Sequence, residues 1–302
     1  MHPSISLKGI FAPLPTPFDG RGDVALEALA QNVAHLNRYA LAGYVVLGSN
    51  GEAGYVSWEE KAAVWRAARQ AIPAGKLMIA GTGCESTRQT IALTRVAAEQ
   101  GADAALVVTP HYYGGMMTSD ALVAHYVQVA EAVPIPVILY VVPGFTHVDM
   151  SPVAIARAGE HPNVVGIKDT AGNVAKMADT VRLAGPEFQV LAGSAGFFFP
   201  GLAVGAVGGI LALANVAPQM CLEMYEAFEA GRWTEAAELQ RRALPLNAAV
   251  TTRFGIAGLK AALDMLGQRG GLVRSPLRDL DEAGRQELRT VLVEGGLLAS
   301  DE

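Results

Sequence analysis

Val164-Val165-Gly166-Ile167-Lys168-Asp169-Thr170 is the stretch around which the rest of the chain is arranged. Pro162-Asn163 before it and Ala171-Gly172-Asn173 after it are turn signals, so the apolar run 164–167 reads as a short buried strand. Lys168 closes that strand. In a barrel or an open α/β sheet the carboxyl ends of parallel strands form the face that carries the chemistry. An amine on an apolar platform loses hydration, which disfavours its charged form and moves it towards nucleophilic range. A protein makes a Schiff-base lysine in this way. The plainer reading is a lysine that marks the strand's exit into solvent, since shifted titration alone only points towards function.

Outward from this strand one unit repeats. A first strand from Ile10 runs into a proline-rich turn closed by Asp19-Gly20, and further apolar runs lie at 43–47, 77–80, 104–109, 136–142, 188–191 and 206–211. Helical spacing follows at 24–39, 57–72, 87–100, 119–133, from Ser151-Pro152, and at 174–184, 197–204 and 218–230. Ser57 with Glu60 three residues on is a capping box, Gly101 is the expected residue past a helix end, and Pro152 suits a first helical turn. Strands that are continuous apolar runs have both faces covered, as in a parallel sheet. About eight β-α units over residues 1–230 predict a (β/α)8 TIM barrel. A doubly wound sheet stays open, although no G-x-G-x-x-G follows any strand. Past Gly231 the strand signal stops. Residues 231–302 read as a three-helix extension (233–249, 256–266, 282–293) packed on the barrel.

Hydrophobic residues make up 51% of the 302 and charged ones 17%, which fits a large core, a large subunit interface or both. The net charge of −6 without a basic run argues against nucleic acid or an anionic membrane as partner. Cys84 and Cys221 lie far apart without metal-ligand spacing, so neither a disulfide framework nor a zinc site is expected. Residues 1–6 carry no charged segment followed by an apolar one, and no apolar stretch reaches the length of a membrane span. A cytoplasmic protein is expected.

On a barrel, the shared strand-end face gathers Thr16, Ser49, Asn50, Tyr112, Tyr140, Lys168, Gly193 and Asn215. Gly48-Ser49-Asn50-Gly51-Glu52 places two glycines around small polar residues, so main-chain N–H groups can approach a carboxylate or phosphate. As a lone pattern it is equally an ordinary turn. Tyr140 ends a buried strand one strand before Lys168, where a phenol can move protons to and from a nitrogen or a substrate oxygen. A core tyrosine with its hydroxyl at the rim is the plainer alternative. His111-Tyr112-Tyr113-Gly114-Gly115 adds two phenols that can equally serve packing. The six histidines show no metal-binding spacing, and no G-x-S-x-G elbow is present.

The ordered set Thr16-Pro17-Phe18, Gly48-Ser49-Asn50-Gly51-Glu52, Thr109-Pro110-His111-Tyr112-Tyr113, Leu139-Tyr140-Val141-Val142-Pro143 and Gly166-Ile167-Lys168-Asp169 resembles the dihydrodipicolinate synthase / N-acetylneuraminate lyase family along nearly the whole chain. The resemblance implies a barrel with C-terminal helices, a Schiff base to pyruvate or another 2-oxo acid, no metal or organic cofactor, and a homotetramer. It implies Lys168 as the nucleophile on C2, Tyr140 as proton carrier, and Tyr112 as a relay residue at a subunit interface. Ser49 and Asn50, with Gly51, would hold the substrate carboxylate, with Thr16, Gly193 and Asn215 around them.

Within the family, segments 83–87, 191–197, 212–216 and 247–250 look closest to the 4-hydroxy-2-oxoglutarate aldolases. Dihydrodipicolinate synthases carry an asparagine after the tyrosine and, shortly past the proline, an arginine that binds the acceptor's carboxylate. Val141 and Phe145 stand there in this chain. Phe145 cannot form the charge-assisted bidentate pair, which argues against the synthase activity. The favoured expectation is a pyruvate aldolase that cleaves 4-hydroxy-2-oxoglutarate to pyruvate and the aldehyde glyoxylate. A sugar-acid dehydratase or the synthase itself are the alternatives within the family, and a non-catalytic 2-oxo-acid sensor is the alternative outside it.

Overall fold

The computed structural model describes residues 5–300; the first four of the positions read for a targeting segment lie outside the described residues. Its sheet follows from strands with no polar interruption. β1 (Gly9–Pro13), β2 (Gly43–Val46), β3 (Leu77–Gly81), β4 (Ala104–Val108), β5 (Val137–Val141), β6 (Val164–Asp169), β7 (Gln189–Ala192) and β8 (Gly208–Ile210) pair in parallel in chain order. β8 then closes on β1, making the barrel expected from the eight repeats. The doubly wound alternative is thereby removed.

Two apolar layers explain why each strand is hydrophobic on both sides. Phe11, Val45, Ile79, Leu106, Ile138, Leu191 and Ile210 fill the barrel interior. Val46, Ala80, Val107, Leu139 and Ile167 face outward and pack, with residues such as Trp65, Leu93 and Tyr126, in the layer between strands and helices. Burial of these side chains is the main driving force for closure, at roughly 25 cal/mol per Å² of apolar surface.

Local signals set the helix ends. Ser57 Oγ accepts from the Glu60 N–H while Glu60 returns a bond to the Ser57 N–H, so the capping box is complete at Trp58–Ala71. Gly101 takes φ +86°, a left-handed conformation that ends the preceding helix, Thr87–Glu99. Ser151 caps Pro152–Gly159 with proline in its first turn. The widest departure from an expected helix start is two residues. The first helix begins at Leu26 rather than residue 24, because Val24 is drawn into an antiparallel bridge with Phe18.

Beyond the last barrel helix, Pro218–Glu229, come helices Trp233–Ala248, Gly255–Met265 and Glu282–Glu294, with a π turn at Ala249–Arg253 between the first two. Gln240 ties the first of them to the end of β7. Its amide nitrogen donates to Ala195 O (2.7 Å) and its oxygen accepts the Phe199 N–H (2.9 Å). Arg274, on the segment after the second, forks onto both carboxylate oxygens of Glu60 at 2.6 and 2.8 Å. No helix among the described residues is long and apolar enough to cross a membrane.

The Arg274 fork, together with the Ser57 cap, holds the Glu60 carboxyl down at about 2. A carboxylate depressed on folding stabilises fully above its ordinary value of 4.5, and that contribution is lost as pH falls towards 2. Glu60→Gln is therefore expected to cost about 1 kcal/mol at neutral pH, allowing for solvent screening. It should also flatten the fall in stability between pH 4.5 and 2, which denaturant melts across that range would measure.

Candidate active site

Alternation along β6 sends Ile167 and Asp169 outward, so Lys168 between them faces the barrel mouth. Ile167 lies in the outer apolar layer, and the Asp169 carboxylate meets Lys176 Nζ at 3.0 Å on the helix that follows. Asp169 also accepts the Ala171 N–H at 2.7 Å, and Lys176 pairs in addition with Asp149. The acid next to Lys168 in sequence is thus turned away from it and neutralised elsewhere.

Lys168 is only 5% exposed, and its register partner across the β5–β6 ladder is Tyr140. The ammonium nitrogen lies 4.2 Å from the centroid of the Tyr140 ring, a cation–π distance. The Tyr140 hydroxyl shares a hydrogen bond of 3.1 Å with Ser49 Oγ. Three of the expected residues, from β6, β5 and the turn after β2, therefore form one connected group. Asn50 is half-buried beside Ser49.

The turn that carries Ser49 is tightly shaped. Leu47 and Glu52 both adopt left-handed conformations, φ +60° and +52°, on either side of the one-turn 3-10 helix Ser49–Gly51. Gly51 is buried, its N–H donating to Gly48 O at 3.0 Å and its carbonyl accepting from Thr16 Oγ1 at 2.7 Å. Thr16 and Gly51 thus brace this turn through each other.

Gly193 and Asn215 are braces as well. The Gly193 N–H donates to Asp169 O at 2.8 Å. A Cβ at Gly193 would lie 2.7 Å from that oxygen and 2.2 Å from Thr170 Oγ1, so β7 approaches the end of β6 only because the residue has no side chain. The fully buried Asn215 amide donates to Pro13 O and Ala212 O, both at 3.0 Å, and laces the end of β8 to β1.

Tyr112 stands apart from the Lys168 group. It is 76% exposed, with its ring edge-on to Tyr113 at 5.0 Å. Its loop is held by Glu85, a residue the sequence reading gave no role. One Glu85 oxygen accepts the N–H groups of His111 (2.9 Å) and Tyr112 (2.8 Å), and the other meets His111 Nδ1 at 3.0 Å. Only the fold brings Glu85, after β3, to this loop. Lys260 was missed too; its sequence signal was a lone cation in a mostly apolar helix, Gly255–Met265. Among the described residues, no group of three or more His, Cys, Asp or Glu is placed to hold a metal ion.

Chemically, the group offers a sheltered amine facing a phenol, with a hydroxyl behind the phenol to pass a proton on. Such a set can condense with a carbonyl and protonate or deprotonate the adduct.

Comparison with known proteins points the same way. Residues 6–294 match the model of the dihydrodipicolinate synthetase family. The chain is 36% identical over 292 residues to a 4-hydroxy-tetrahydrodipicolinate synthase of Methanoculleus marisnigri, covering 96% of this chain and 99% of that one. The synthase of Rhizobium meliloti is likewise 36% identical over 293 residues, with the same shares. Among solved structures, dihydrodipicolinate synthase from Acinetobacter baumannii, complexed with pyruvate, superimposes with a TM-score of 0.92 at 33% identity, covering 97% of this chain and all of that one. These relatives carry the synthase name, and the expected closeness to 4-hydroxy-2-oxoglutarate aldolases finds no support in them. The chain belongs to the dihydrodipicolinate synthetase family, a family of pyruvate-dependent Schiff-base lyases.

Proposed function

We propose that this protein forms or breaks a carbon–carbon bond to pyruvate through an imine on Lys168, with 4-hydroxy-2-oxoglutarate as the favoured substrate. The observation that carries the reading is the buried Lys168 amine over the Tyr140 ring, with the Tyr140 hydroxyl bonded to Ser49. In the cleavage direction the Lys168 amine attacks C2 of the 2-oxo acid and water leaves, giving a protonated imine. Tyr140 takes the proton of the C4 hydroxyl, the C3–C4 bond breaks, and its electron pair enters the imine as an enamine while glyoxylate departs. Protonation at C3 and hydrolysis release pyruvate and restore the amine. Ser49 and Asn50 hold the C1 carboxylate with their side chains and with main-chain N–H groups that open the 3-10 turn and have no acceptor within it. Thr16, Gly51, Gly193 and Asn215 shape this end of the barrel through their own hydrogen bonds.

The working unit in this reading is a homotetramer. Tyr112, Tyr113 and Met116, all strongly exposed on one loop, form an apolar patch of the kind that meets another subunit, and Tyr112 joins the proton relay there. The catalytic barrel is residues 1–230, and 231–302 form the extension.

A second reading, dihydrodipicolinate synthase, is favoured by the names of the curated relatives at 36% identity. Phe145 weighs against it. The residue is 64% exposed in the short helix Pro143–Thr146 and offers no guanidinium to an acceptor carboxylate.

Borohydride reduction in the presence of pyruvate should add a pyruvyl mass to Lys168, found by peptide mapping, and Lys168→Ala should abolish it. Failure to trap any adduct would end the Schiff-base reading. Tyr140→Phe keeps the ring over the amine and removes only the hydroxyl, so trapping should persist while turnover falls about 10²–10⁴-fold. Incubation with 4-hydroxy-2-oxoglutarate should release pyruvate and glyoxylate in equal amounts. If condensation with the synthases' own acceptor outpaces that cleavage, the second reading replaces the first. Phe145→Arg should raise condensation with that acceptor relative to cleavage, measured as the ratio of the two kcat/KM values.

A further inference from the structure

Glu52 is the last residue of the turn that carries Ser49 and Asn50, and its side chain is fully buried. One of its oxygens lies 2.5 Å from Lys260 Nζ, on helix Gly255–Met265, whose side chain is 1% exposed. The other accepts the main-chain N–H of Arg274 at 2.8 Å. Lys260 also donates to Leu272 O at 2.6 Å. Lys260 Nζ and Arg274 Cζ lie 4.4 and 4.3 Å from the ring centroid of Phe18, in the segment after β1. Thr16, in that same segment, donates to the Gly51 carbonyl. The carboxylate turn is therefore fastened at its far end by a part of the chain some two hundred residues away in sequence, and braced on its flank by the β1 segment.

Such fastening matters because the turn does not have a relaxed backbone. Leu47 and Glu52 both sit in the left-handed region, which non-glycine residues occupy only where the surroundings over-determine it. A buried carboxylate and a buried ammonium fix each other strongly, since either one left alone is an uncompensated charge in the interior. Burial pulls the Lys260 ammonium below the usual lysine range, and the Glu52 carboxylate opposes that fall.

Building on the Schiff-base reading, we infer that Glu52 and Lys260 are positioning residues for pyruvate. Their ion pair lets the C-terminal extension set the place of Ser49 and Asn50 relative to Tyr140 and Lys168. Neither residue touches the substrate in this account. Loosening the pair lets the 48–52 turn drift, so the substrate carboxylate is held less well while the amine keeps its reactivity.

The test is borohydride trapping at graded pyruvate concentrations on the full chain, with thermal melts run alongside. The variants are Glu52→Gln, Lys260→Met, Lys260→Arg and the double variant Glu52→Gln/Lys260→Met. Half-saturating pyruvate should rise about tenfold or more in the two charge-removing single variants, with the trapping rate at saturation within about threefold of wild type. Lys260→Arg, which keeps the charge, should stay close to wild type. Should the single variants fail to fold because one charge is stranded, the double variant, which strands none, decides the matter. A folded double variant with wild-type half-saturation would overturn the role of the pair, as would variants that lose only thermal stability. No adduct in the wild type would instead overturn the Schiff-base reading itself, so the two failures are told apart.

Discussion

The register between β5 and β6 sets Lys168 opposite Tyr140, and much of the molecule serves to make that one juxtaposition possible. A primary amine that is almost wholly buried is unfavourable unless something meets its charge. Here the face of an aromatic ring does so, and the neighbouring Asp169 is pointed to the other side of the sheet and occupied by Lys176. The strand's alternation thus separates two charges that are adjacent in sequence by the thickness of the sheet.

What was legible in the sequence was what local chemistry decides. Apolar runs without alternation had to be parallel strands, and Ser57 with Glu60 had to begin a helix, because each depends on residues a few places apart. Lys168, Tyr140 and Ser49 could be placed at one mouth since every barrel strand ends on the same face. Asn215 was read as a ligand by the same logic, and its amide nitrogen donates to Pro13 O and Ala212 O. Position along a strand does not reveal which polar groups the main chain will claim. Glu52 with Lys260 and Glu85 with the Tyr112 loop were out of reach for a related reason. Each joins segments whose neighbourhood exists only after the barrel has closed.

Family and fold converge on imine chemistry, whereas the choice of second substrate rests on far fewer atoms. Lys168 and Tyr140 are buried, and the Tyr140 hydroxyl is bonded to Ser49. Phe145, by contrast, is exposed on the short helix Pro143–Thr146. Close relatives can therefore share the nucleophile and its surroundings and still differ in partner, since a specificity group on the rim can change without disturbing the proton path.

Gly193 has a bearing on how this protein could vary over time or be redesigned. Because β7 comes so near the end of β6, the smallest side chain would collide with a main-chain oxygen that cannot swing aside. The residue is a vacancy kept for the strand that bears Lys168. A library of variants around Lys168 should return this position unchanged, however freely the rim loops are allowed to drift.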